Sequence, residues 1–145
     1  MKKNQNTSDI MATVGPHVSI ITLKVNGLNS PIKRHRVAGW IKEQYPTICC
    51  LQETHLRPKD KHRLRVKGWK TILQANNEHK KEGIAILISD KVDFKAKQIK
   101  KDKEGQYIMI KGTLHQDDIT HKYIRTQHRS AKVHKATTSK AKRRN

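Results

Sequence analysis

The sequence predicts an α/β domain with a mixed sheet, antiparallel in its later part, and three observations carry that reading. Two β-rich runs, VSIITLKV (residues 18–25) and TICCLQ (residues 47–52), are apolar almost throughout, as expected of strands buried on both faces. One amphipathic stretch separates them, giving the order strand–helix–strand. Further strand-like runs follow with no second helical stretch among them.

The first run ends in the turn NGLNS, where Ser30 can cap a helix and Pro31 suits its first position, which needs no N–H. Val37, Trp40, Ile41 and Tyr45 then share one helical face, while Lys33, Arg34, Arg36 and Lys42 lie largely elsewhere. Pro46 stops the helix. Past a polar loop, GWKTILQ (68–74) and IAILIS (84–89) read as strands around the loop ANNEHKKEG. VDFKAKQI (92–99) alternates, as a half-exposed strand does, and YIMIKGTL (107–114) follows a charged turn. Residues 1–17 are polar and aperiodic and read as a disordered lead-in. Residues 18–120 form the predicted domain. Residues 121–145 hold nine Lys and Arg and no acidic residue, and read as a disordered basic tail.

At 145 residues the chain suits one small domain, and 34% hydrophobic content is low for a compact globule. The net charge is +20. Without the tail, 23 basic residues still oppose 12 acidic ones, about +11. Such a field attracts polyanions, so DNA or RNA is the expected partner. No membrane and no small-molecule substrate is expected. Cys49 and Cys50 are adjacent, and in a strand they point to opposite faces, so no mutual disulfide is expected. The chain shows no Cys-x-x-Cys and no apolar leader, which points to a nuclear or cytoplasmic protein rather than a secreted one.

Asn26 follows the first strand, and Glu53 ends the second. If the strands are parallel neighbours, both side chains reach one sheet edge, where ligands of open α/β sheets bind. An amide oxygen and a carboxylate are hard donors suited to Mg²⁺ or Mn²⁺ holding a phosphate. Asn-Gly is also a common turn dipeptide, and a strand-end glutamate is commonly just solvated, so spacing alone leaves both readings open. His55 is either a neighbour in such a site or a surface histidine.

The segments ITLKVNGLNSPIKRHRVAGWIK, CCLQETHL, KGWKTILQAN and KKEGIAILISDKVDFKAKQIKKDKEGQYIMIKGTL resemble, in order, the endonuclease domain that opens the second open reading frame of LINE-type retrotransposons. That domain belongs to the endonuclease/exonuclease/phosphatase superfamily. The resemblance implies a four-layered α/β sandwich and Mg²⁺-dependent (or Mn²⁺-dependent) nicking of DNA. It also implies that Asn26 is the first active-site asparagine and Glu53 the metal-binding glutamate.

The resemblance stops near Thr120, after roughly the first half of the domain. The strand with the catalytic tyrosine, the Gly-Asp-Phe-Asn motif and the Ser-Asp-His motif do not occur in the 145 residues. Tyr123 lacks the motif around it, so the tyrosine's role does not transfer. The tail resembles the element's coding region read in a shifted frame. A partial sandwich is therefore expected, with one face of Ile84–Ile86–Ile88 or Ala85–Leu87 left open and aggregation as the consequence. The leading expectation is a truncated nuclease relative, inactive as a lone chain and holding metal weakly or not at all. The alternatives are a non-catalytic basic nucleic-acid-binding polypeptide and a retroelement product with no selected role.

Overall fold

The computed structural model describes residues 10–13, 18–76, 78, 82–103, 107–116, 119–127 and 138–140. The first sheet contains β1 (Ile10–Thr13), β2 (Ser19–Lys24), β3 (Ile48–Gln52), β4 (Thr71–Ala75) and β5 (Ile84–Ile88), in the order β1-β2-β3-β5-β4. β2 and β3 are parallel, and every other pairing in this sheet is antiparallel. The second sheet, β6 (Asp93–Lys101), β7 (Tyr107–Gln116), β8 (Ile119–Gln127) and β9 (Thr138–Lys140), is a meander in chain order. The fold is thus α/β with a mixed sheet and a second sheet, consistent with a partial sandwich of the expected type.

The helix α1 (Pro31–Gln44) connects the parallel pair, as such a pair requires. The Ser30 hydroxyl accepts from the Lys33 N–H at 3.5 Å, and Pro31 occupies the first turn. The helix ends at Tyr45 in the left-handed region (φ 52°), one residue before Pro46. Tyr45 therefore leaves the helical face on which it was expected. It is exposed, makes a T-shaped contact with Trp69 at 5.8 Å between ring centroids, and lies under the Lys91 ammonium at 4.0 Å.

Side-chain alternation divides the core. Leu23, Cys49, Leu51, Ala85 and Leu87 pack with Ile41 of α1 and with Leu56, Val66 and Trp69. Ile20, Ile48, Cys50, Ile84, Ile86 and Ile88 pack with Val92, Ile108 and Ile110 of the second-sheet segment. Cys49 and Cys50 are free and buried on opposite faces. The expectation of an open face is overturned: all five residues of β5 are buried, because β6 and β7 fold back over the isoleucine face. Each isoleucine so covered contributes about 1.5–3 kcal/mol.

Three strands fall wholly or mostly in segments read from sequence as disordered. β1 lies in the lead-in and pairs with β2 from Ile10↔Thr22 to Thr13↔Ser19. Most of β8, and all of β9, lie beyond residue 120. The remainder of the lead-in and of the tail lies outside the described residues. A short 3-10 turn, Pro58–Arg63, occupies the loop after β3.

Candidate functional site

Strand register gathers one edge. Lys24 pairs with Gln52, Gln52 with Ile84, and Ile84 with Ala75. The loops leaving these positions are then laced by backbone hydrogen bonds. Val25 N–H donates to Gln52 O at 2.9 Å, Gly27 N–H to Glu53 O at 2.7 Å, and Leu28 N–H to Thr54 O at 2.7 Å. On the other side, Thr54 N–H donates to Gly83 O at 3.1 Å and His55 N–H to Glu82 O at 2.9 Å. The Asn29 amide reaches His55 O at 2.9 Å.

These bonds hold an unusual backbone. Asn26 (φ 52°), Glu53 (φ 55°) and His55 (φ 56°) are all left-handed, alongside Gly27 and Gly83. A non-glycine residue there costs about 1 kcal/mol or more and persists only where its surroundings over-determine it. Three of the four left-handed non-glycine residues among the described ones sit at this edge. Glycine is required at residue 83 (φ 121°), where a Cβ would collide with the Thr54 hydroxyl.

Asn26 and Glu53 come to the same edge, as the sequence predicts for parallel neighbours, and their turns touch through Gly27. Their side chains play different parts. Asn26 is exposed, and its backbone carbonyl accepts from the Lys33 ammonium at 2.6 Å. The Glu53 carboxylate is partly buried, with Oε2 2.8 Å from the Lys24 ammonium and Oε1 4.0 Å from His55 Nε2. Lys24 is the residue the sequence reading passed over. Its signal was its position at the last rung of β2, opposite Gln52. Arg34 braces the turn by donating to Leu28 O at 2.9 Å and Asn29 O at 2.8 Å. The Thr54 hydroxyl and Asn76 Oδ1 are buried without a hydrogen-bond partner, and both lie beside Gly83.

A family model for the endonuclease/exonuclease/phosphatase family matches residues 21–139. The chain belongs to the endonuclease/exonuclease/phosphatase family. The match takes in β3, most of β2, both left-handed turns and nearly all of the second sheet, and runs past Thr120. Members of this family generally depend on a divalent metal. The described donors at this edge do not complete a site for one. Among the described residues no group of three or more His, Cys, Asp and Glu could hold an ion. One oxygen of the Glu53 carboxylate already faces an ammonium.

Proposed function

We propose that this family member is a LINE-type retrotransposon relative that engages the DNA phosphodiester backbone at the Asn26–Glu53 edge and, as these 145 residues, does not cleave it. The observation that carries the reading is the meeting of two left-handed turns over one partly buried carboxylate, with Lys24 and Lys33 beside it. A phosphate finds cationic donors there and a backbone fixed before it arrives. Cleavage needs an aimed water and a stabilised leaving oxygen, which the family's later motifs supply. Gly-Asp-Phe-Asn and Ser-Asp-His are absent from these residues. Groups of that kind act as a unit, so Asn26 and Glu53 alone supply little of the rate. Mg²⁺ or Mn²⁺ is the ion that an active relative would take. The setting for such a role is the nucleus or cytoplasm.

The decisive experiment is plasmid nicking with Mg²⁺ by purified protein, with Glu53→Ala as the control. Equal, background-level nicking is expected. Nicking that Glu53→Ala abolishes would replace this reading with an active endonuclease.

A second reading, a basic polypeptide that binds DNA or RNA without chemistry, is favoured by a separate feature. A groove of about 620 Å³ beside β4 is rimmed by Lys61, Arg65, Lys67, Lys70 and Lys101 over Leu64, Val66 and Trp69. Each cation that neutralises a duplex phosphate contributes about −0.9 to the slope of log K against log salt. Replacing Lys61, Lys67 and Lys70 with Gln should flatten that slope by about 3 if the groove holds the duplex. An unchanged slope, together with loss of binding in Lys33→Gln, would return the contact to the Asn26–Glu53 edge.

A further inference from the structure

We propose that the Lys24 ammonium is the resident cation of the Glu53 carboxylate, so that this site meets a phosphate through an ammonium and not through a divalent ion. The inference rests on Glu53 being the functional carboxylate of the edge, as proposed above.

The pair differs from an ordinary surface salt bridge in how its ends are held. Lys24 is the last residue of β2, fixed by pairing with Gln52 and followed by the Val25 N–H bond to Gln52 O. Glu53 follows immediately, in a left-handed turn whose carbonyl accepts from Gly27 and whose neighbour Thr54 is bonded on both sides. Neither backbone has freedom to carry its side chain away. The Glu53 side chain is 17% exposed and the Lys24 side chain 49%, so the anion is sheltered while the cation keeps a wet side.

Charge decides the competition. A divalent ion binds a carboxylate oxygen at about 2.1 Å. On Glu53 it would stand within a few ångströms of an ammonium that is 2.8 Å from Oε2. At that separation like charges repel strongly even near a surface, so the lysine must leave before the ion enters. Mg²⁺ and Mn²⁺ also favour several hard oxygens, and among the described residues no group of three or more His, Cys, Asp and Glu gathers to hold an ion. An ammonium carries three donors. One is engaged by Glu53, which leaves capacity for an approaching phosphate oxygen. The Lys33 ammonium, anchored on Asn26 O, adds a second cation at the same turn.

The test uses the full chain and Mn²⁺ alone, followed by water-proton relaxation. Wild type and Glu53→Gln should bind Mn²⁺ equally weakly. Lys24→Met keeps the length, removes the charge, and should raise Mn²⁺ affinity by about tenfold or more, equivalent to about 1.4 kcal/mol. The double variant Lys24→Met/Glu53→Gln should lose that gain, and Lys24→Arg should behave as wild type. Glu53-dependent binding in wild type, or no gain in Lys24→Met, overturns the proposal. A second measurement needs no variant that might misfold. In ¹⁵N-lysine-labelled wild type, the Lys24 ammonium resonance should keep its width at stoichiometric Mn²⁺, and inorganic phosphate should shift it. Selective broadening of that resonance by Mn²⁺ also overturns the proposal. Neither readout involves DNA, so failure of nucleic-acid binding leaves both intact.

Discussion

The two sheets of this molecule are built on opposite terms. In the first, every residue of β3 and β5 is buried, with the helix on one face and the second sheet on the other. In the second, β6 is exposed at all positions but Phe94 and carries Lys95, Lys97, Lys100 and Lys101 outward. Ile108 and Ile110 of β7 turn inward to close the isoleucine face. The first sheet fixes geometry, and the second supplies cover on its inside and positive charge on its outside. That division explains how a chain with 34% hydrophobic residues still encloses a core: apolar residues are concentrated where two layers meet. It also places the candidate site on the rigid sheet, where a left-handed turn can be held against its own cost.

The contrast breaks most visibly under truncation. Ile86 is 0% exposed between Cys50 and Leu73 and faces the second sheet. Ile86→Ala should cost about 2–5 kcal/mol, through lost transfer energy and the cavity left behind. Lys100→Ala, on exposed β6, should change stability by no more than about 0.5 kcal/mol. Urea denaturation reads both. Similar losses for the two would mean that β6 carries more of the fold than its exposure implies.

Glycine substitutions come next in size and separate the sheets by what they disturb. A Cβ on Gly112 would strike the Lys95 carbonyl and lie 3.0 Å from Ala96 Cα, where the β6–β7 ladder shifts register. Gly83→Ala forces φ 121° on a residue with a side chain and pushes on Thr54, next to Glu53. Each should cost about 1–3 kcal/mol. Only Gly83→Ala should also move the Lys24 ammonium resonance, because only it acts on the turn that sets the Lys24–Glu53 pair. Movement in Gly112→Ala instead would show that the second sheet reaches the site.

Elements with a strong local signal were legible in the sequence. The apolar runs gave β2, β3 and β5, and Ser30, Pro31 and Pro46 gave the ends of the helix. β1 was not legible, because Ile10–Thr13 is short and gains its ladder only by pairing with β2. The closed isoleucine face was missed for a related reason. Val92, Ile108 and Ile110 were each visible as apolar, but their folding back over β5 is a long-range event with no local mark. At the site, the meeting of Asn26 and Glu53 followed from parallel pairing. The partner of Glu53 did not, because a lysine at a strand end reads as solvated until the register places it against a carboxylate.

The smallest effect lies between the two sheets' faces, at the adjacent cysteines. Burial pushes the Cys49 thiol well above its ordinary value of 9.0, and a charge on neighbouring Cys50 would push it further in the same direction. The unfolded chain therefore loses this proton before the native state does. The thiol's contribution is fully present below about pH 9 and is lost as pH rises beyond it. One such group gives a slope of up to about 1.4 kcal/mol per pH unit in the alkaline limb. Cys49→Ala should flatten that limb, measured by urea midpoints at stepped alkaline pH, and an unchanged slope would remove the thiol as its cause. Thiol-reagent kinetics then sharpen the comparison of the sheets. Cys49 faces α1 and Cys50 faces Ile108 and Ile110, so each reports the opening of a different layer. If the thinly covered second sheet lifts first, Cys50 reacts before Cys49 at low urea. Equal rates would mean that both layers leave in one cooperative step.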